Sequence, residues 1–450
     1  MIEYTKERPL RVATAFSGYD SQKMAHERLH KVFPDFCYEL VVWSEIDKNA
    51  IAAHNAVFPE DKDKNLGDIS KIDWSKVPDF DLFTYSFPCQ DISSSGKQRG
   101  FKEGSGTRSS LLWECKKAIE AKKPRFLMME NVKALVSAKF LPFLRQWQTW
   151  LHQQGYKNFT QVLNASDFNV PQNRERLFMI SILRTDSEPN LSFNFPKKMK
   201  LERRIKDILE PNVDESFYMS GKALEYFCRV NNGLDGSDES SCIGRVSNSQ
   251  DGVVSGVNAI APTLTAGHAN QPKVLIEEIN DSGTSNTITS VNRDNLLIKQ
   301  NVLRQERTEQ CKKIRNMNGD KGMKFNQRNK EYSPRTDRVS NTLSTSTKDN
   351  TLATPELRIE DGCIVDKEGR KYRIRKLTPT ECFRLMDVED EDIEKMKQAG
   401  IAKTNLYKLA GNSICVGCMY HIFRKLFIEK ERESQQLELL DACCNTKTIG

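Results

Sequence analysis

No apolar stretch in the 450 residues approaches the length of a membrane span, so nothing in the sequence calls for a bilayer. The start, Met1-Ile2-Glu3-Tyr4-Thr5-Lys6-Glu7-Arg8, lacks the features of a signal peptide, and the protein is expected in the cytoplasm. No cluster of histidines or acids stands at metal-ligand spacing, so no metal is expected. The twelve cysteines are scattered without paired spacings, which argues against a disulfide framework. One CxxC is present, Cys415-Val416-Gly417-Cys418, without a second pair or nearby His ligands. Structural zinc needs four ligands, so Cys415 and Cys418 read as small core residues. No P-loop lysine follows any glycine turn either.

What is present is an ordinary globular composition, 38% hydrophobic and 29% charged, in a chain too long for one compact core. The net charge of +7 is unevenly placed: residues 299–338 carry twelve Lys/Arg against five Asp/Glu. Basic clusters flank that region at Lys197-Lys198-Met199-Lys200 with Arg203-Arg204, and at Arg370-Lys371-Tyr372-Arg373-Ile374-Arg375-Lys376. Clustered positive charge suits nucleic acid, and a solvated surface is the alternative.

Over the first 185 or so residues, strand-like and helix-like segments alternate. Strands are expected at 10–16, 38–45, 80–87, 125–130, 160–163 and 176–183, and helices at 22–33, 110–121 and 133–154. Repeated βαβ units predict an α/β fold, a doubly wound parallel sheet with helices on both faces. After about residue 190 the chain is polar and rich in Asn, Ser, Thr and Gly. It contains a near-repeat, Ala261-Pro262-Thr263-Leu264-Thr265-Ala266 and Ser340-Asn341-Thr342-Leu343-Ser344-Thr345, which marks a folded, loop-rich β module rather than a linker. The division expected is 1–190, 191–395, and 396–450 returning to the first domain.

Two strand ends carry the candidate chemistry. Ala15-Phe16-Ser17-Gly18-Tyr19-Asp20 runs from a strand into a helix, where a glycine lets backbone approach a ligand. Glu45 closes the second strand and is placed to accept from a ribose diol, or to cap a helix. Asp68 could cap a helix or meet an adenine amino group. Together they point to a nucleoside rather than a phosphate ligand. Pro88-Cys89-Gln90 ends a buried aromatic strand, which makes Cys89 a candidate nucleophile and a buried structural cysteine the alternative.

Five blocks, in order, carry a resemblance. They are Pro88-Cys89-Gln90-Asp91-Ile92-Ser93-Ser94-Ser95-Gly96-Lys97-Gln98-Arg99-Gly100, Glu130-Asn131-Val132, and Gln172-Asn173-Arg174-Glu175-Arg176-Leu177-Phe178. Arg375-Lys376-Leu377-Thr378-Pro379-Thr380-Glu381-Cys382-Phe383-Arg384-Leu385-Met386 and Leu406-Tyr407-Lys408-Leu409-Ala410-Gly411-Asn412-Ser413-Ile414 complete them. The sequence resembles the DNA (cytosine-5-)-methyltransferase family of bacterial and phage type. It departs at the first turn, where the family has several glycines and this chain has Tyr19-Asp20-Ser21 after Gly18.

The resemblance implies a Rossmann-like S-adenosylmethionine-dependent methyltransferase fold with a smaller target-recognition domain. It implies that Cys89 adds to carbon 6 of cytosine, that Glu130 shares a proton with ring nitrogen 3, and that Arg176 bonds the ring carbonyl. Arg174 supports Arg176, meets the backbone, or pairs with Glu175. The implied cofactor, S-adenosyl-L-methionine, falls to Phe16, Ser17, Gly18, Glu45, Ile46, Asp68, Ile69, Pro88, Leu111, Asn412 and Ser413. DNA contacts fall to Gln90, Ser93, Ser95, Lys97, Arg99, and to Thr263 and Thr342 of the near-repeat. The implied partner is double-stranded DNA whose target base is flipped out by a monomer. A restriction endonuclease of the same system would be a functional companion. An RNA-directed relative and a catalytically silent DNA-binding protein are the alternatives.

Overall fold

The computed structural model describes residues 3–88, 108–186, 191–231, 234, 242–247, 252–264, 272–277, 304–307, 330–333, 357–367 and 369–429. Cys89, Gln90, Ser93, Ser95, Lys97, Arg99 and Thr342 lie outside the described residues.

Strands β1 (Leu10–Ala15), β2 (Tyr38–Ser44), β3 (Leu82–Tyr85), β4 (Phe126–Val132), β5 (Tyr156–Asn164) and β6 (Glu175–Leu183) form one sheet in the order β2-β1-β3-β4-β6-β5. Helices α1 (Ser21–Val32), α2 (Lys48–Val57), α3 (Cys115–Lys122) and α4 (Leu141–Gln153) make the crossovers. Side chains alternate between two cores because successive strand residues point to opposite faces. Phe126 and Met128 enter one core with Phe178, Ile180 and Ile182, while Leu127 and Met129 enter the other with Leu177 and Met179.

The sheet is mixed rather than all parallel, since β6 runs antiparallel to both β4 and β5. No helix separates β5 from β6, only the turn Ala165–Phe168 and a few further residues. So short a connection can only bring the chain back antiparallel. The single helix expected at 133–154 is divided into a 3-10 turn, Lys133–Val136, and α4, which has proline in its first turn. Pro142 lacks an N–H and suits a helix start rather than its interior.

A second sheet joins β7 (Gly244–Arg245), β8 (Val253–Ser255), β9 (Lys273–Glu277), β12 (Arg358–Glu360), β13 (Cys363–Val365) and β14 (Lys371–Lys376), in the order β12-β13-β14-β9-β8-β7. Strands β10 (Arg304–Arg307) and β11 (Lys330–Ser333) pair separately. Helix α5 (Lys222–Val230) sets Leu224 and Phe227 against this sheet, in a third core with Val254, Leu275 and Ile374.

The basic cluster at 370–376 is largely neutralised from within. Arg370 pairs with Asp366, Arg373 with Glu215, and the buried Arg375 with the buried Glu381. Alternation along β14 sends Tyr372 and Ile374 into the third core and the arginines to the other face, where Arg375 is buried against Glu381, which composition does not reveal.

The chain then rejoins the first core through α6 (Pro379–Arg384), α7 (Asp390–Gln398), α8 (Lys403–Asn412) and α9 (Val416–Arg424). Helix α6 begins with a capping box between Thr378 and Glu381, which satisfies backbone donors at its N-terminus. Cys415 and Cys418 are buried in this core. No group of three or more potential metal ligands occurs among the described residues, and no described helix is long and apolar enough to cross a membrane.

Candidate active site

The C-terminal ends of β1 to β4 open onto a cavity of about 360 Å³. This is where an open α/β sheet places its ligand, beside the point where strand order reverses. Every described residue assigned to the cofactor lines it: Phe16, Ser17, Gly18, Glu45, Ile46, Asp68, Ile69, Pro88, Leu111, Asn412 and Ser413. Glu130, Arg174 and Arg176 line it too. Residues more than three hundred positions apart in the chain therefore share one space.

At one end the turn after β1 is left-handed at Phe16, Gly18 and Asp20. That conformation costs glycine little and strains phenylalanine. Asp20 lies in the stretch after Gly18 where the chain departs from the resembled family, and a short polar residue tolerates the left-handed region best after glycine. Its carboxylate caps α1, accepting from Lys23 N at 3.1 Å, and takes the Thr14 hydroxyl at 3.3 Å. Burial pushes the Asp20 carboxyl up to about 7, against the pull of Lys23. His54 Nε2 lies 3.7 Å from it, and burial pushes His54 down to about 4.

Glu45 Oε2 accepts from Gly18 N at 2.9 Å, and Oε1 from Ile46 N at 2.7 Å and Asp47 N at 2.8 Å. A carboxylate has about four acceptor positions, so these bonds leave roughly one for a ligand hydroxyl. Ile46, 67% exposed, offers an apolar face beside it. Asp68 caps the turn Ile69–Lys71, and the hydroxyl and backbone N–H of Ser70 hold its carboxyl below the usual range.

At the other end Glu130 is buried at the close of β4. Ser86 Oγ donates to its Oε2 at 2.7 Å, and Arg176 Nε lies 3.3 Å from its Oε1. Arg176 reaches it because β4 and β6 pair antiparallel, with Val132 opposite Arg176. The 3%-exposed Arg174 does not pair with Glu175, which binds Lys133 instead. Its guanidinium donates to the carbonyls of Leu264 at 3.0 Å, Gly411 at 3.0 Å and Ser413 at 2.7 Å. Thr263 Oγ1 donates to Asn173 O at 2.5 Å, so this copy of the near-repeat is seated on the Gln172–Arg176 block.

Sequence reasoning missed several contributors. Asn65 receives the N–H groups of Glu45 and Gly67 and donates to Glu45 O, joining two cavity walls. Lys408 binds Asp47 at 2.7 Å, and Tyr19 donates to Ser413 Oγ at 2.7 Å, tying the C-terminal helices to the first turn. Asn131 donates to Phe87 O at 3.0 Å, bracing the strand end before Pro88. Asn131 and Lys408 stood inside recognisable blocks, whereas Asn65 sits in a loop without periodicity.

The family model described as C-5 cytosine-specific DNA methylase matches residues 10–428. The chain is 55% identical over 161 residues to the type II methyltransferase M2.ScrFI of Lactococcus lactis subsp. cremoris, an alignment covering 36% of this chain and 44% of that protein. It is 32% identical to the orphan methyltransferase M.SPRI of Bacillus phage SPR, over 94% of this chain and 99% of that one. Among solved structures, the Entamoeba histolytica methyltransferase EhMeth superposes with a TM-score of 0.55 at 13% identity, covering 94% of this chain and 98% of that one. The S. pombe Dnmt2 methyltransferase gives 0.52 at 15%, covering 94% and 99%. At such identities the likeness concerns the fold alone. With residues from four of the five sequence blocks lining one cavity, and a family model matching from residue 10 to residue 428, the chain belongs to the C-5 cytosine-specific DNA methylase family.

Proposed function

We propose that this protein transfers a methyl group from S-adenosylmethionine to carbon 5 of cytosine within one short sequence of duplex DNA. The observation that carries the reading is the Ser86–Glu130–Arg176 cluster. It shares a cavity with Glu45 and with Pro88, the residue before Cys89.

The cavity suits the cofactor. Glu45 keeps acceptor capacity for a ribose hydroxyl, Ile46 and Phe16 offer apolar faces, and Asp68 stands near with an acceptor carboxylate. When bound, S-adenosylmethionine supplies an electrophilic methyl on its sulfonium. Asn412 and Ser413 close the same space.

Carbon 5 of cytosine is a weak nucleophile until a thiolate adds to carbon 6. Cys89 is assigned that addition, which requires its ionised form. Glu130 manages the proton at ring nitrogen 3 as charge enters the ring, with Ser86 and Arg176 fixing its orientation. Arg176 offers its remaining N–H groups to the ring carbonyl. Loss of the carbon 5 proton and departure of Cys89 restore the ring.

Access to the base requires flipping it from the duplex. Ser95 is assigned to the space it vacates, Gln90 and Ser93 to DNA contacts, Lys97 and Arg99 to phosphates, and Thr263 and Thr342 to the recognition segment. The first domain is placed at 1–190 and the recognition domain from 191. Because Leu377, Phe383 and Met386 pack in the first core, the chain is taken to return there near 377 rather than 396. The enzyme would work as a cytoplasmic monomer, beside a restriction endonuclease or as an orphan modifier.

The test is tritiated methyl transfer onto unmethylated genomic DNA, wild type beside Cys89→Ser, with bisulfite mapping. Incorporation at one short repeated sequence, absent in the variant, is expected. Wild type that binds S-adenosylmethionine yet labels no DNA would overturn the proposal.

A further inference from the structure

Arg174 is a buried cation with no carboxylate partner within ion-pair distance among the described residues. Burying an unpaired guanidinium costs several kcal/mol, and an apolar side chain could fill the same volume at less cost. Its bonds point to a different use. One fork nitrogen, Nη1, holds the Leu264 carbonyl, and the other, Nη2, holds the carbonyls of Gly411 and Ser413.

Those carbonyls belong to two distant segments. Residues 261–264 lie along the Gln172–Arg176 block. Ala261 N donates to Pro171 O and Asn173 N to Ala261 O, each at 2.8 Å, and Thr263 Oγ1 binds Asn173 O. Residues 411–413 line the cavity, and the Ser413 hydroxyl receives Tyr19 from the turn after β1. Arg174 is two positions from Arg176, whose side chain meets Glu130.

We propose that Arg174 is a positioning residue that couples the two ligands: DNA engaged at the 261–264 segment and cofactor held against 411–413 tighten one another through its planar fork. This rests on the function proposed above. A guanidinium presents its two outer nitrogens rigidly in one plane, so movement of one carbonyl re-aims the bond to the other segment. Burial lowers the Arg174 pKa to about 9, which keeps the cation charged at neutral pH. Coupling of this kind is reciprocal, and each ligand raises the affinity of the other by the same factor.

The test measures S-adenosylhomocysteine affinity by calorimetry on the full chain, with and without a saturating duplex carrying the sequence that wild type methylates. Wild type should bind the probe at least about fivefold tighter with duplex present. Arg174→Lys keeps the charge but is a single point that cannot span both segments, and it should tighten less than about twofold. A merely electrostatic role would be rescued by lysine, so full tightening in Arg174→Lys overturns the proposal. If that variant binds no probe even alone, Thr263→Val carries the test, since it removes the side-chain bond from the recognition segment to Asn173 O, beside the Leu264 carbonyl that Arg174 holds. Lost tightening then supports coupling, and unchanged tightening overturns it. Wild type that binds both ligands without mutual tightening sinks the coupling alone, while wild type that binds neither sinks the function with it.

Discussion

The two ends of the cavity are made of different material. At the end holding Glu130, side chains meet each other: the half-buried Ser86 and Arg176 converge on one buried carboxylate. At the end holding Glu45, a carboxylate meets backbone N–H groups, and the wall is a turn with three left-handed residues. The first arrangement suits proton transfer, because oriented polar groups act strongly in a water-poor pocket. The second suits holding a ligand, because a turn fixes where donors and acceptors stand without taking part in chemistry.

The sharpest way to break this contrast is Glu130→Gln. If the buried end carries the chemistry, methyl transfer at saturating substrates should fall by about 10²–10⁴-fold, the usual yield of a positioned acid or base. Affinity for S-adenosylhomocysteine should stay near wild type. Equal losses in rate and affinity would mean that the two ends are one unit.

Glu45→Ala should give the opposite split. Removing the acceptor takes away the position left for a ligand hydroxyl and frees the half-exposed N–H groups of Gly18, Ile46 and Asp47 to loosen; a hydrogen bond contributes about 1 kcal/mol, and up to about 3 where one partner is charged. Cofactor affinity should drop by roughly 5- to 150-fold, while the rate at saturating cofactor changes little. A rate loss as large as that of Glu130→Gln would erase the distinction.

The same difference governs what could be read in advance. That Glu130 and Arg176 stand on one cavity was legible, because the blocks that hold them stand in the chain as text. The strands of the first sheet, with helices α1, α3 and α4, were legible through apolar runs, whereas α2 was not expected. The direction of β6 was not inferred, although a missing helix between β5 and β6 carried that information. The role of Asn65 was illegible, since many polar loop residues can accept such N–H groups. Arg375 misled, because a charge in a basic run reads as surface until its strand partner and Glu381 bury it.

The turn after β1 offers a pH test of the cofactor end. Asp20 ionises near 7 in the folded protein, against 3.8 ordinarily, because burial disfavours the charge. A carboxyl whose folded pKa is raised contributes stability below its unfolded pKa, and loses that contribution as pH rises through the folded value. Between pH 6 and 8 wild type should therefore lose about 1 kcal/mol that Asp20→Asn does not lose. Lys23, His54 and Asp61 are the neighbouring charges, and His54 titrates below this window. Urea unfolding of both proteins at the two pH values checks it, and parallel curves would mean that Asp20 is already ionised at pH 6.

The smallest effect isolates the backbone itself. Phe16 adopts φ 55°, and its ring packs against the second core. Phe16→Ala removes the ring and keeps a Cβ in the left-handed region, whereas Phe16→Gly removes both. Relief of left-handed strain is worth about 1–2 kcal/mol, and glycine's extra freedom in the unfolded chain takes back about 0.5–1. The glycine variant should thus be more stable than the alanine variant by up to about 1.5 kcal/mol, although both lose the same ring. Both should weaken cofactor binding alike, since the turn is kept and only the apolar face is gone. If alanine proves the more stable, the turn is held by the ring's packing and not by its backbone. The cofactor end would then be built from side chains like its neighbour.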